Sequence, residues 1–452
     1  MSNGTRSKLR NPHGSYVSGM LCESSPGTIE KSPDLTPASA PSGNAHGTRD
    51  FRVVAAVSTA HMLNDIMQSV ILALYPLLKG EFDLGFFQIG AISLTFQLTA
   101  SLLQPVVGTV TDKHPFPLIL PIGMAFTMCG LLLLSVAPNY PVILLAVGLI
   151  GIGSSTFHPE SSRVARLASG GQYGLAQSLF QIGGNTGQAL GPTLAAFLIL
   201  RHDGAAARPH AAWFALLALL AMVILLQVSR WYGAHLKQRA AMHHTINAPP
   251  FTAGTVRRTL AILLVLMFSK FFYLSSIGSY YTFYLIHQFG LSDDAAANLL
   301  AVFLFAVAAG TMLGGPLGDR IGRRRVIWFS ILGCAPFTLL LPHVGLGMTV
   351  ALSVVIGLVL ASAFPAIIVY AQDMLTHRIG MVSGLFYGFS FGLGGIGAAV
   401  LGLVADHSGI VFVYQVCAFL PLLGIFAVFL PDVRPPAPSA RAPPDRARDR
   451  AR

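Results

Sequence analysis

Charged side chains are scarce in this sequence. Asp, Glu, Lys and Arg make up 10% of its 452 residues, against roughly 25% in soluble domains. Cysteine is rarer still, with four residues far apart in the chain, at positions 22, 129, 334 and 417. This spacing offers neither a metal-binding pattern nor a disulfide framework. The composition therefore argues against an ordinary soluble protein, and we expect no bound metal.

Catalytic and nucleotide-binding motifs are missing as well. The sequence has no phosphate-cradling P-loop, which disfavours transport driven by ATP. The segment His158-Pro-Glu160 lacks the second histidine of the His-Glu-x-x-His metal motif. Ser161 and Ser162 have no nucleophile-elbow context. We therefore expect neither an enzyme nor a cofactor.

Long apolar stretches are what the chain has instead. Hydrophobic residues make up 53% of it, and its 46 glycines suit close helix packing in lipid. Twelve stretches are long enough to cross the roughly 30 Å hydrocarbon core of a bilayer. The predicted spans are 53–78, 86–110, 117–136, 141–162, 173–199, 211–230, 259–286, 295–317, 326–343, 347–371, 380–404 and 411–430. The sequence thus predicts an all-α integral membrane protein with twelve transmembrane helices in the lipid bilayer.

Positive charge is confined to the termini and to alternate loops between these spans. The rich set includes Lys113, Arg163 and the segment 320–325, whereas the opposite loops hold little more than Lys79, Arg201 and Arg208. The positive-inside rule places the rich set, and with it both termini, in the cytoplasm. The net charge of +11 is therefore topological, and we expect no nucleic-acid partner.

The two halves of the chain repeat one another. A shift of 207 residues places Gly108 and Asp112 on Gly315 and Asp319. We predict a disordered segment at 1–50, six-helix halves at 51–231 and 259–431, a central cytoplasmic loop at 232–258 and a disordered basic tail at 432–452. Repeated halves indicate a secondary transporter whose substrate site lies near the midplane between them.

A polar stripe crosses the first span. His61, Asn64, Asp65 and Gln68 recur at helical spacing and so share one face. An ionisable residue at bilayer depth costs at least about 2.5–3.5 kcal/mol, so it normally faces a partner or a water-filled path. We interpret Asp65 and His61 as a proton site, with Asn64 and Gln68 beside the substrate. A structural hydrogen-bonding cluster between helices is the alternative.

Further polar residues are candidates for the transport path. Lys270 lies deep in the seventh span, where it would pair with Asp65, lose its proton or bind an anion. Tyr273 and Tyr280 share its helix, and Gln97 lies in the second span. These residues are interpreted as substrate ligands. Aromatic packing and interhelical hydrogen bonding explain them equally well.

The fourth span ends in a charged group around Pro159. We expect the proline to break the helix there. His158 and Arg163 are interpreted as substrate ligands and Glu160 as part of a proton relay. A solvated helix end with local ion pairs is the alternative.

Two motifs resemble those of the major facilitator superfamily. Gly315-Pro-Leu-Gly-Asp319-Arg320-Ile-Gly322-Arg323 resembles its cytoplasmic loop signature. Asp319 there can accept hydrogen bonds from arginines or a helix N-terminus, forming a lock that opens and closes. The first-half copy keeps Gly108 and Asp112 but loses the Gly-Arg-Arg part, so a symmetric lock is in doubt. In the fifth span, Gly187, Gly191 and Pro192 resemble a motif of proton-coupled drug antiporters; generic small-residue packing is the alternative.

Longer stretches resemble the fosmidomycin-resistance family of bacterial exporters. They are residues 61–69, 157–166, 279–285, 323–328 and 378–386. The resemblance implies a multi-pass protein of the bacterial inner membrane. Acting as a monomer, it would export a small anionic phosphonate in exchange for protons by alternating access. The partners would be this small molecule and protons. An importer on the same scaffold, or a sensor that binds without transporting, are the alternatives.

Overall fold

The computed structural model describes residues 49–199, 207–241 and 251–433. Within these residues the secondary structure is entirely helical. The predicted N-terminal segment and basic tail lie almost wholly outside the described residues. We call the helices before and after residues 242–250 the N-terminal and C-terminal bundles.

The N-terminal bundle contains six long helices. In chain order they are α1 Phe51–Ala73, α2 Phe87–Lys113, α3 Ile119–Val136, α4 Tyr140–Ala168, α5 Tyr173–Leu198 and α6 Phe214–Ala241. A short helix, Tyr75–Glu81, follows α1. A π-helical turn, Leu98–Leu102, interrupts α2.

The C-terminal bundle repeats this pattern with six long helical segments. They are α7 Ala253–Phe289, α8 Asp293–Ile321, α9 Arg323–His343, α10 Leu346–Met374, α11 Ile379–Ser408 and α12 Ile410–Phe429. Short 3-10 turns interrupt α9 and form the last part of α12. The predicted central loop, 232–258, is helical at both ends because α6 continues to Ala241 and α7 begins at Ala253.

Ten of these segments are long and apolar enough to cross a membrane. The other two, α1 and α5, have 23 and 26 residues but are too polar to count by composition. They are also the two helices that carry the polar stripe and the glycine motif. Twelve membrane crossings therefore stay a prediction, with α1 and α5 as the two crossings that packing must stabilise.

Side-chain caps and glycines set several helix ends. The Asn139 side chain accepts a hydrogen bond from the Val142 amide at the start of α4, and Ser292 caps α8 at Ala295. Gly290 ends α7 in the left-handed conformation, which favours glycine. The break expected at Pro159 is wrong: α4 runs through it without interruption, since dense packing on all sides holds the helix together.

The bundles meet along two helix pairs where glycines face each other. At Gly108 of α2, a Cβ atom would collide with the backbone of Gly380 in α11. At Gly315 of α8, it would collide with the backbone of Gly174 in α5. Only glycine allows backbones to approach this closely. Both contacts lie at the ends of the helices that carry the α2–α3 and α8–α9 connections, which we call the basic side.

Candidate functional site

A cavity of about 530 Å³ lies between the two bundles. On α1 its lining runs from Asp65 to Leu72, and on α5 from Gln181 to Pro192. These are the halves of α1 and α5 that point away from the basic side. The cavity therefore extends from the middle of the bundles toward the opposite side.

Carboxamides dominate the polar lining of this cavity. The contributing side chains are Gln68, Gln97, Gln181, Asn185 and Gln188. Among the described residues that line the cavity, Asp65 is the one charged group. Amides both donate and accept hydrogen bonds, so this wall suits a small, strongly polar molecule. Of the predicted substrate ligands, Gln68 and Gln97 lie here.

Asp65 lines the deep end of the cavity, and two buried histidines lie behind it. Nε2 of His61 lies 3.6 Å from its Oδ2, and Nε2 of His158 lies 3.8 Å from its Oδ1. All three residues are at most 1% exposed. The predicted pairing of His61 with Asp65 thus exists as a spatial cluster, and the fold adds His158 to it from α4. We call these three residues the Asp65 cluster.

The hydrogen bonds of the two histidines define their tautomers. Nδ1 of His61 lies 2.7 Å from the Phe180 carbonyl, and Nδ1 of His158 lies 3.1 Å from the Ser154 carbonyl. A carbonyl only accepts, so each Nδ1 must carry the hydrogen. In neutral rings both Nε2 atoms are then lone pairs. Within the described residues, both Nε2 atoms are buried without a hydrogen-bond partner and face a carboxylate. The three side chains of the cluster therefore place acceptors against one another, with no donor among these atoms.

Neighbouring groups hold the Asp65 carboxylate in place. It accepts hydrogen bonds from the amide groups of Asn64, at 3.1 Å, and Gln188, at 3.0 Å. Helix α5 can pack tightly on α1 because Gly187 and Gly191 have no Cβ. A Cβ at Gly187 would collide with the α1 backbone, and one at Gly191 with Ser69. The glycine motif of α5 thus positions Gln188 against Asp65.

Two carboxylates of the basic side cap helices of the opposite bundle. Oxygens of Asp112 accept hydrogen bonds from the amides of Gly380, at 2.9 Å, and Met381, at 2.8 Å, at the start of α11. Arg163 of α4 donates to the same carboxylate and also pairs with Glu160 at 3.2 Å. We call this group the Asp112 lock. A carboxylate at a helix N-terminus is stabilised by the free amides and the helix dipole.

Asp319 makes the corresponding arrangement in the other half. It accepts from the amides of Gly174 and Leu175, both at 3.0 Å, at the start of α5. Arg323 binds Asp319 at 3.1 Å and also pairs with Asp373. We call this group the Asp319 lock. The two capping interactions are alike even though the first-half motif is degenerate, because Arg163 of α4 supplies a guanidinium where the loop arginines are missing.

Side-chain hydrogen bonds link the cavity to the basic side. The Tyr387 hydroxyl at the cavity wall bonds to Gln177 of α5, which bonds to Ser162 of α4. Ser162 accepts from Gln372, whose oxygen accepts from Arg166 at 3.2 Å. This chain crosses between the bundles three times. Tyr387 was not among the predicted site residues, because its partner Gln177 lies 210 positions away in the sequence.

Several predicted site residues lie elsewhere. Glu160 and Arg163 belong to the Asp112 lock and lie two and five residues beyond His158 along α4, closer to the basic side. Tyr273 is buried inside the C-terminal bundle, and Tyr280 lies against Gly402 of α11. None of the four lines the cavity. Helical spacing predicts which residues share a face but not which face meets the cavity.

Lys270 lies one side-chain layer behind the cavity wall. Its Nζ lies 4.6 Å from the ring centre of Phe271 and 4.8 Å from that of Phe364, and both rings line the cavity. It is 3% exposed, and within the described part of the chain no carboxylate lies in ion-pair range. The alternative in which Lys270 pairs with Asp65 is therefore not realised in this conformation.

The Asp65 cluster also offers the kinds of ligand atom that bind metal ions. One ligand atom from each of His61, Asp65 and His158 lies within 4.8 Å of the others. Two imidazoles and a carboxylate suit several transition metals. The expectation of no metal came from sequence spacing, which could not include His158 in a cluster with His61. The effect of a chelator on transport is therefore a direct test.

Known proteins resemble this chain in sequence. A profile of the Major Facilitator Superfamily matches residues 57–301 and 263–450. The chain is 59% identical over 384 residues to the fosmidomycin resistance protein of Escherichia coli K12, covering 85% of this chain and 94% of that protein. It is 41% identical over 388 residues to the uncharacterized MFS-type transporter YfnC of Bacillus subtilis 168, with the same coverage of 85% and 94%.

Solved structures show the same architecture. The transporter FucP in its outward conformation superposes with a TM-score of 0.65 at 17% identity, covering 84% of this chain and 98% of that chain. The proton:xylose symporter XylE superposes with a TM-score of 0.66 at 15% identity, covering 85% and 96%. At these identities the likeness concerns the fold alone.

Proposed function

The chain belongs to the major facilitator superfamily, and from this membership we propose that it is a secondary active transporter of the bacterial inner membrane. It exports a small anionic compound, such as the phosphonate antibiotic fosmidomycin, in exchange for protons by alternating access. The similarity to the Escherichia coli fosmidomycin resistance protein supports this substrate class. Transport rather than catalysis is the activity of the family.

The observation that carries the proposal is the set of converging acceptors in the Asp65 cluster. Two imidazole lone pairs face a carboxylate at 3.6 and 3.8 Å, and a contact between two acceptors is repulsive. One proton, on the carboxylate or on either Nε2, supplies the missing donor, and the hydrogen bond is charge-assisted when an imidazole carries the proton beside the ionised carboxylate. The cluster is therefore suited to hold a proton in one step of the cycle and to release it in another.

Exchange requires that proton and substrate exclude one another. Asp65 borders the cavity, so a hydroxyl on the substrate can donate to the same carboxylate oxygen that a proton would occupy. The carboxamides of Gln68, Gln97 and Gln181 then serve the anionic end of the molecule. Competition at Asp65 lowers the affinity for one ligand when the other is bound, and this linkage is reciprocal.

The two locks support alternating access. Both lie at the basic side, while the cavity extends from the midplane toward the other side. Opening the basic side must break the helix caps of Asp112 and Asp319, and closing the opposite side must cover the cavity. The positive-inside rule assigns the basic side, and both termini, to the cytoplasm. The described arrangement then corresponds to a transporter closed toward the cytoplasm.

Proteoliposomes with an imposed pH gradient test the proposal. For an antiporter, fosmidomycin accumulates in vesicles whose interior is acidic, because protons leave as substrate enters. This direction does not depend on how the protein is oriented in the vesicle. Asp65→Asn should abolish the accumulation, and Asp294→Asn, an exposed aspartate at the start of α8, should leave it intact. Accumulation that ignores the gradient would refute proton coupling.

One observation favours proton symport as a second candidate. Asp65 is the charged residue of the described cavity lining, with no Lys or Arg beside it. An ionised Asp65 would repel an anion by about 4 kcal/mol at 4 Å and an effective dielectric of 20. Protonation would then favour substrate binding. In the same vesicles a symporter accumulates substrate when the interior is alkaline, so the sign of the gradient separates the two mechanisms.

A further inference from the structure

A second recess lies on the basic side, at the junction of α8, α9 and the end of α12. Its volume is about 620 Å³. Four arginines line it against two aspartates: Arg320, Arg323, Arg324 and Arg325, with Asp319 and Asp432. The recess is separate from the transport cavity, with which it shares no lining residue.

The start of α9 lacks both a capping side chain and a negative charge. Its N-cap is Gly322, at φ +96°, which has no side chain to accept from the first-turn amides. The first turn contains three consecutive arginines and no acidic residue. Cations at a helix N-terminus are unfavourable because the dipole is positive there. An anion above this turn would satisfy free amides and neutralise the arginines at the same time.

Among the described residues, two buried donors of the recess have no acceptor. They are Nε of Arg323 and Nε1 of Trp328. Arg323 is only 7% exposed, and its two other nitrogens are used by Asp319 and Asp373. Its Nε–H is left without an acceptor among the described residues, on a side chain that lines the recess. Within the described residues, Arg324 and Arg325 reach backbone carbonyls, those of Val428 and Ile321, rather than carboxylates.

From these features we propose that the recess binds a phosphate group, supplied by the headgroup of an anionic phospholipid. Phosphate has enough oxygens to accept from Arg323, from Trp328 and from the first amides of α9. The recess also has an apolar border, since Phe329 and Val428 line it and are 57% and 48% exposed. A free phosphate ion would not use that border, whereas the acyl chains of a lipid would. Basic pockets between transmembrane helices on the cytoplasmic side of a membrane bind anionic lipid headgroups.

The test compares lipid and phosphate binding to the purified full-length protein in neutral detergent. Dioctanoyl phosphatidylglycerol should bind saturably and at least about tenfold more tightly than dioctanoyl phosphatidylcholine. Trp328→Phe removes one N–H but keeps an aromatic ring and should weaken phosphatidylglycerol binding about three- to tenfold. The double change Arg324→Gln with Arg325→Gln should weaken it more. Arg257→Gln removes one exposed charge of α7 outside the recess and should change affinity less than about twofold.

The outcomes separate the possible sources of the phosphate. Saturable binding of inorganic phosphate with an affinity equal to that of the lipid, lost in Trp328→Phe, would support the anion site and assign it to free phosphate. Equal binding of the two lipids would overturn the proposal. An equal loss in Arg257→Gln and Trp328→Phe would overturn it too, because the attraction would then be general surface charge. Unchanged fosmidomycin affinity in each variant shows that the protein is still folded.

Discussion

The Asp319 lock offers a quantitative test of how the basic side is held closed. Its carboxylate accepts from two backbone amides at 3.0 Å and from Arg323 at 3.1 Å, and it is 17% exposed. In Asp319→Asn one acceptor oxygen remains, so one amide loses its partner and the ion pair disappears. Hydrogen bonds to charged groups contribute about 1.5–3 kcal/mol each. Partial exposure reduces the ion-pair contribution.

The expected loss is about 3 kcal/mol of preference for the closed basic side. At 1.4 kcal/mol per factor of ten, this is a shift of roughly 150-fold toward the open form. A cysteine at Ser162, which lies buried between the bundles and bonds to Gln372, reports the opening by its rate of alkylation. The four native cysteines are first replaced by serine. The rate should rise in Asp319→Asn in proportion to the open population.

Asp294→Asn is the matched control, because it removes the same charge from an exposed position of the same helix. It should leave the alkylation rate unchanged. Asp112→Asn should raise the rate as Asp319→Asn does, and the double variant should raise it further. If Asp319→Asn alkylates at the parent rate, the carboxylate cap of α5 does not hold the basic side closed, and the inference from geometry is refuted.

Three further predictions concern the cavity. Lys270→Gln should weaken equilibrium binding of an anionic phosphonate by about tenfold or more, and Lys270→Arg much less, since a positive charge next to the cavity compensates desolvation of the anion. Equal phosphonate affinities of Lys270→Gln and the parent protein would remove Lys270 from the anion site. His158→Gln should impair gradient-driven transport as strongly as His61→Gln, because both imidazoles face Asp65; normal coupling in His158→Gln would leave His158 a packing residue. Treatment with EDTA should leave transport unchanged, and loss of activity restored by one divalent ion would instead make the Asp65 cluster a metal site.

Hydrophobic length and charge distribution predicted most of the helical architecture. Residues 61, 64, 65 and 68 follow helical spacing, and in the structure His61 and Asp65 indeed lie side by side. Their polarity makes α1 too polar to count as a span by composition, although three of these polar residues, His61, Asn64 and Asp65, are buried. Local periodicity is sufficient for such relations, since they are determined within one helix.

Relations between distant helices could not be read from local spacing. His158 reaches Asp65 only because α4 packs against α1, and the sequence grouped it with Glu160 and Arg163 instead. Those two residues lie farther along α4 and enter the Asp112 lock. Tyr273 and Tyr280 share a helix with Lys270 but face the bundle interior and α11. The degenerate motif around Asp112 keeps its capping role because Arg163 comes from another helix.

Proton release on substrate binding tests the central claim most directly. Purified protein in weakly buffered detergent solution is mixed with fosmidomycin, and a pH indicator follows free protons. The account predicts release of on the order of one proton per substrate bound, because both compete for Asp65. Asp65→Asn should bind substrate without releasing any. Proton uptake, or binding with no change in the wild-type protein, would contradict exchange at the Asp65 cluster.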